Sequence, residues 1–273
     1  MLRVTILGSG SRGNATLIEG NDTTVLIDNG FSLRILKRRL AIIGRRPENI
    51  QALLLTHEHT DHASGAIAAC AQFNWTLHAT AGTLDALPES TVPTVVVRSN
   101  AAFSVGSLTV QTSSVPHDAR EAVAMVITDR ASGCRVGIAT DLGHVPAELP
   151  KQFEHLDVLV IESNHDERML AEGPYPWVLK KRIGSQLGHL SNRQAASFIA
   201  SCVHSGLKNV VLAHLSETNN TPEVAVMSAL NALRKAGWRK DNVWAAHQSE
   251  IRGPYATMVN GVSARAIQLG FAL

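Results

Sequence analysis

The 273-residue chain has few aromatic residues, few cysteines and little net charge. Aromatic side chains make up 4%, so a core must be aliphatic, and 45% hydrophobic residues supply enough of it. The three cysteines, Cys70, Cys134 and Cys202, are widely spaced and form no C-x-x-C pair. That argues against a disulfide framework and fits a reducing cytosol, so the expected location is cytoplasmic. A net charge of +2 is too small to imply nucleic-acid or membrane binding by itself. No run approaches the roughly 18 apolar residues of a membrane span. The opening Met1-Leu2-Arg3-Val4-Thr5-Ile6-Leu7-Gly8 lacks the apolar core of a secretion signal and reads as a first strand. There is no long linker, low-complexity tract or internal repeat, and the length suits one large domain or two modest ones.

Histidine is plentiful, at 12 residues. Three fall within His57-Glu58-His59-Thr60-Asp61-His62, directly after the apolar run Ala52-Leu53-Leu54-Leu55-Thr56. The order reads as a buried strand ending in a loop of metal ligands. His57 and His59 project the same way from an extended segment, because side chains alternate along a strand. Asp61 and His62 lie on the following turn and can face a second ion. Imidazole and carboxylate donors suit zinc, iron(II) or manganese(II).

Short β-branched runs recur at Val4 to Leu7, Thr23 to Ile27, Leu53 to Thr56, Val95 to Val97, Leu108 to Val115, Val123 to Thr128, Arg135 to Thr140, Val158 to Ile161 and Val210 to Leu212. Between them lie helical patterns: Ser32 to about Ile43, Ala63 to Phe73, Glu167 to Ala171, Pro176 to Ile183, Asn192 to Cys202 with Ser191 as cap, and Glu223 to Lys235 after Pro222. Ile251 to Val259 and Ala266 to Phe271 are apolar enough for late strands or an oligomer interface. Mixed strands and helices predict two sheets packed inside helical layers. Two metal shells need more ligands than one loop supplies. His117, Asp141 and His214 each follow an apolar strand, and complete the sets: His57, His59 and His117 for one ion, Asp61, His62 and His214 for the other, Asp141 bridging.

With these residues in place, the chain resembles the metallo-β-lactamase superfamily, through T-H-E-H-T-D-H followed by His117, Asp141 and His214 in that order. The resemblance implies a four-layer αββα sandwich, one hydrolase domain over residues 1–273, and two divalent ions, zinc or manganese. Asp28, after Val25-Leu26-Ile27, resembles that superfamily's early aspartate, which orients a ligand loop rather than binding metal. No cysteine stands at the Asp141 position, which disfavours β-lactam hydrolysis.

Gly8-Ser9-Gly10-Ser11-Arg12-Gly13-Asn14 follows the first strand. Its backbone N–H groups could face an anion, with Ser11, Arg12 and Asn14 adding donors and charge; a plain surface turn would look the same. That opening, Ile161-Glu162-Ser163-Asn164-His165-Asp166, Gly173-Pro174-Tyr175-Pro176-Trp177-Val178-Leu179-Lys180-Lys181-Arg182-Ile183, Gly188-His189-Leu190-Ser191-Asn192 and Leu212-Ala213-His214-Leu215-Ser216-Glu217-Thr218-Asn219-Asn220 are similar to the bacterial YycJ/WalJ exonuclease branch. The similarity implies a phosphodiesterase acting on DNA, a 5′-to-3′ exonuclease. His189 also resembles a proton-transferring histidine of the tRNA 3′-processing branch, and Glu162 could orient it; a structural Glu–His pair is the alternative. His165 is open between a site role and a structural one. Only 24 positions separate His117 from Asp141, too few for the tRNA-clamping arm of that branch. Lys180, Lys181, Arg182 and Arg193 form a basic stretch, read either as a solvated face or as a contact for a nucleic-acid backbone. The catalytic candidates are therefore Asp61, His189 and Glu162. The competing reading is a small-molecule metallohydrolase of the same fold, cleaving a thioester, lactone or cyclic phosphodiester. Native metal, DNA against RNA and oligomeric state are left open.

Overall fold

Apolar runs of three to seven residues are too short for buried helices and become strands. In the computed structural model, which describes residues 1–257, they form two seven-stranded sheets. The first sheet contains β1 (Arg3–Gly8), β2 (Ala15–Glu19), β3 (Thr24–Ile27), β4 (Ala52–Leu54), β5 (Thr76–Thr80) and β6 (Thr94–Val97) side by side. The second contains β7 (Ala102–Val105), β8 (Leu108–Ser114), β9 (Val123–Asp129), β10 (Arg135–Ala139), β11 (Val158–Glu162), β12 (Asn209–Ala213) and β13 (Val243–Ala245). β14 (Arg252–Ala256) returns to the first sheet and pairs with β1.

Each sheet is antiparallel in one half and parallel in the other. β14, β1, β2 and β3 alternate in direction, then β3 to β6 run together. Likewise β7 to β10 alternate, then β10 to β13 run together. Parallel neighbours need crossovers, which helices provide. Those of the first sheet are α1 (Leu33–Ile42), α2 (Thr60–Ala63), α3 (Ala66–Phe73) and α4 (Ala81–Ala86). Those of the second are α5 (Leu149–Gln152), α6 (Glu167–Glu172), α7 (Trp177–Ile183), α8 (Asn192–Ser201) and α9 (Pro222–Lys235).

Both faces of the central strands are buried, so alternate residues serve different cores. Val25 and Ile27 face the space between the sheets and meet Val110, Met125 and Val160, whereas Leu26 points outward to Leu36 and Leu40 of α1. On the other side Leu159 and Ile161 point outward to Phe198 and Ile199 of α8. The result is the expected αββα sandwich.

Several local expectations shift. The single helix over Ala63 to Phe73 is divided at Gly65, where a Cβ would lie 1.9 Å from the Phe31 carbonyl oxygen. Ser191 caps α8 through a full capping box with Gln194, whereas Ser32 precedes α1 without a side-chain cap bond. Strands β2, β5, β7 and β13, and helix α4, were not singled out by sequence pattern. They are short and mostly lie beside polar or glycine-rich turns. Within the late run at Ile251 to Val259, Arg252–Ala256 forms β14; the end of that run, from 258, and Ala266 to Phe271 lie outside the described residues. Among the described residues no helix is long and apolar enough to cross a membrane.

Phe153 is fully buried, with its ring centre 5.6 Å from that of Phe198. Phe153→Ala is expected to lower the unfolding free energy by about 3–5 kcal/mol, the usual cost of a deleted buried ring and its cavity. Urea titration followed by circular dichroism measures this, and a change below about 1 kcal/mol would show that this core does not carry the second sheet's outer layer.

Candidate metal centre

Strand ends place the polar residues. The chain leaves β4 through Leu55 and Thr56 into His57, and α2 carries Asp61 and His62 back toward the same edge. His117 follows β8, Asp141 follows β10 and His214 follows β12. Four donor groups result among the described residues, each with atoms within 4.8 Å of one another: His57, His59 and His117; Asp61, His62 and His214; His57, His62 and Asp141; and Asp141, Glu162, His189 and His214. The first two are the sets expected for two ions, and the third joins them through Asp141. Its Oδ2 is 3.0 Å from His62 Nε2, and its Oδ1 is 3.5 Å from His214 Nε2.

Backbone geometry at three of these strand ends is unusual. Asp28, Asp141 and His214 all have positive φ, at 58°, 60° and 53°. Non-glycine residues rarely adopt this left-handed conformation. Here it turns each chain sharply after the strand and aims the side chain into the cluster.

Asp28 then fixes the first-sheet ligands. Its Oδ2 accepts from His62 Nδ1 at 2.8 Å and from the Thr56 hydroxyl at 2.9 Å, and its Oδ1 accepts from the Thr56 backbone N–H at 2.8 Å. Since the single Thr56 proton goes to Asp28, the hydroxyl must accept from His57 Nδ1, 3.0 Å away. That bond selects the tautomer of His57 that leaves Nε2 as a lone pair. His117 is anchored similarly, donating from Nδ1 to the Gly188 carbonyl at 3.1 Å while Nε2 lies 3.2 Å from His59 Nδ1. The ligand loop rests on Gly30, where a Cβ would lie 1.9 Å from the Asp61 carbonyl oxygen; only glycine permits that approach.

These residues fit divalent ions. His57 Nε2 is buried and has no hydrogen-bond partner among the described residues, a costly state that a cation would relieve. Burial and the neighbouring His62 hold His57 well below the usual imidazole pKa, so it is neutral and able to coordinate. At His62 burial opposes the charge, but Asp141 and Asp28 outweigh it and raise the pKa well above the usual value. At His214 burial is likewise outweighed, by Asp141, Asp61 and Glu162, which raise it to about 10.

A further cluster joins the second sheet's strand ends. Fully buried Glu162 accepts from His189 Nδ1 at 2.7 Å and from the backbone N–H groups of Leu142 and Leu190 at 3.1 and 3.0 Å. Burial would raise the Glu162 pKa, but His189 pulls it down to about 2. In return Glu162 and Asp141 raise that of His189 against the effect of its burial. His189 lines a cavity of about 250 Å³ with Ser11, Asp118, Tyr175 and Arg182. The sequence-marked loop divides: Ser11 faces that cavity, Arg12 pairs with Glu217 at 2.6 Å, and Asn14 is buried beneath the ligands. Asn14 Nδ2 donates to the Asp61 carbonyl and lies 3.0 Å from His62 Nε2, which makes it a support for the loop. His165 is buried outside the donor groups, its Ser191 bridge tying α6 to α8.

Sequence reading passed over Thr56, Asp118 and Asn164. Asp118 Oδ1 stands 3.4 Å from His117 Nε2 while Oδ2 holds Arg182 at 2.6 Å. Asn164 donates to the His214 carbonyl at 2.9 Å. Their only signal was adjacency to recognised ligands or motifs.

Residues 23–215 match the family model described as beta-lactamase superfamily domain. The exodeoxyribonuclease WalJ of Streptococcus pneumoniae is 33% identical over 243 residues, covering 86% of this chain and 89% of that protein. The exodeoxyribonuclease YycJ of Bacillus anthracis is 29% identical over 259 residues, covering 93% and 97% respectively. The crystal structure of the metallo-beta-lactamase fold protein YhfI from Bacillus subtilis superposes with a TM-score of 0.66 at 17% identity, over 92% of this chain and 99% of that one.

Two outcomes follow from the wiring of the cluster. Asp28→Ala removes the anchor of His62 and Thr56 without deleting a donor, and is expected to weaken zinc binding about 10- to 100-fold, read by competition with a chromogenic chelator; unchanged affinity would mean Asp28 has no orienting role. The second outcome concerns pH. The raised pKa of His214 means that its pairing with carboxylates stabilises the metal-free fold fully below about 6.5 and is lost as pH climbs through about 10. Zinc needs the imidazole unprotonated, so calorimetry in buffers of different ionisation enthalpy should show protons released on binding at pH 7, fewer as pH approaches 10. Binding without proton release at pH 7 would contradict the pairing.

Proposed function

The chain belongs to the β-lactamase superfamily, in the branch of the WalJ and YycJ exodeoxyribonucleases, and from that premise we propose that it is a metal-dependent phosphodiesterase, a cytoplasmic 5′-to-3′ exonuclease that degrades DNA. The single observation that carries this reading is the meeting of His57, His59, Asp61 and His62 from one sheet with His117, Asp141 and His214 from the other. Under this proposal the seven residues hold two divalent ions, zinc or manganese, within one domain. The three unpaired cysteines suit a reducing compartment.

Two divalent ions held by these seven residues would polarise the phosphate and lower the pKa of the attacking water. The residues do the rest. Asp61 Oδ2, 3.0 Å from His214 Nε2 and 3.5 Å from His62 Nε2, orients the attacking water and accepts its proton. His189 gives its proton to the leaving oxygen from Nε2, because Nδ1 is committed to Glu162. Glu162 keeps that imidazole charged and oriented. Ser11, at the edge of the same cavity, contacts a flanking phosphate.

The test is digestion of 5′-phosphorylated, 3′-labelled DNA with manganese or zinc added. Asp61→Ala is expected to abolish hydrolysis while the circular dichroism spectrum is retained. His189→Ala is expected to lower kcat about 10²- to 10⁴-fold and to remove the fall in rate on the alkaline side of the pH profile. Full activity in Asp61→Ala would dispose of this mechanism.

A further inference from the structure

α7 runs beside the cavity, and its residues divide by face. Leu179 and Ile183, one turn apart, line the cavity next to His189. Trp177, Val178, Lys181 and Arg182 are exposed, with Trp177 and Val178 at 70% and 72%. Two large apolar side chains held side by side in water mark a surface that receives something. The Lys181 ammonium lies 5.1 Å from the centre of the Trp177 ring, and among the described residues no carboxylate pairs with it. Arg182 reaches Asp118 at 2.6 Å, and Asp118 stands 3.4 Å from His117 Nε2. Along the helix axis Trp177 and Arg182 are about 7.5 Å apart at 1.5 Å per residue. Trp177 and Lys181 therefore form a row along the outer face of α7, from which Arg182, about 140° round the axis from Trp177, turns toward the cavity.

The chemistry of that row narrows the occupant. An apolar partner would have to desolvate Lys181 and Arg182, which interleave with Trp177 and Val178 rather than rimming them. A nucleic-acid strand needs both kinds of group, phosphates meeting the cations and bases meeting the ring. A base inside a duplex has both faces covered by its neighbours, so only an unpaired base can stack on the indole. Resting on the exonuclease reading, we propose that Trp177 is the stacking platform for an unpaired base of the substrate strand just outside the cavity, with Lys181 holding that nucleotide's phosphate. The enzyme then grips single-stranded or frayed DNA in preference to closed duplex.

Trp75 and Trp238 are buried and Trp244 is partly covered, so Trp177 is the exposed fluorophore. Titration of the full chain, treated with chelator to stop hydrolysis, with oligothymidylate is expected to quench tryptophan emission, and Trp177→Phe is expected to remove most of the quenching. With manganese restored, Trp177→Ala should raise KM for a single-stranded 5′-phosphorylated oligonucleotide roughly tenfold, with Trp177→Phe recovering most of it, a size set by base–aromatic stacking. The preference for that oligonucleotide over a blunt duplex should shrink in parallel. Degradation by wild type with the same KM in Trp177→Ala overturns the platform and leaves the exonuclease reading standing. A wild-type protein that degrades no DNA overturns that reading, and the platform with it. A dimer that sediments as such and is dissociated by Trp177→Ala assigns this face to a second copy instead, and also overturns the proposal.

Discussion

The contact between His62 and Asp141, 3.0 Å apart, is where the two sheets meet chemically. His62 stands on the short helical turn behind the first sheet's ligand loop; Asp141 ends a strand of the second. Neither sheet alone assembles either of the two sets expected for the ions. The first supplies His57, His59, Asp61 and His62, the second His117, Asp141 and His214. Their convergence depends on the aliphatic layer between the sheets, where Val25 and Ile27 pack against Val110, Met125 and Val160. The core sets the register between sheets, and the register sets the ligand distances.

Charge explains why so many ionisable groups tolerate burial together. Imidazoles this close would repel if all were protonated, and carboxylates this deep would be neutralised if alone. They alternate instead: Asp28 with His62, Asp61 with His214, Glu162 with His189, and Asp141 among them. Asp61 and Asp141 are both held below the usual carboxylate range, because the histidines outweigh the penalty of burial. The same alternation prepares a site for cations, since the carboxylates are already ionised and the buried His57 already neutral. Supports reach the cluster by backbone as well: Ser9 accepts from the His214 N–H at 2.8 Å, so the loop after β1 braces a ligand 205 positions away.

Much of this was legible in the chain. T-H-E-H-T-D-H after an apolar run announced a cluster of candidate metal donors, because few other environments tolerate such density of imidazole behind a buried strand. His117, Asp141 and His214 were legible by position, each directly after a strand. The positive φ at Asp28, Asp141 and His214 was not, since nothing in the residue types demands it; it comes from the turn each strand must make toward the shared site. Asn14 was legible as part of a glycine loop but not in its orientation. Gly13, at φ of 143° with the Phe31 ring where a Cβ would be, folds the loop inward and takes Asn14 under the ligands. Trp177 stood in a string that resembles the exonuclease branch, but its exposure was not legible, because an exposed and a buried tryptophan look alike until the neighbouring helix face is known.

The two-ion centre is tested most directly by where cations bind. Anomalous diffraction from crystals grown with manganese, recorded at the manganese edge, locates them without reference to activity. Two peaks are expected, one among His57, His59 and His117 and one among Asp61, His62 and His214, with the Asp141 carboxylate between them. A single peak, or peaks away from these side chains, would contradict the two-ion centre on which the rest is built.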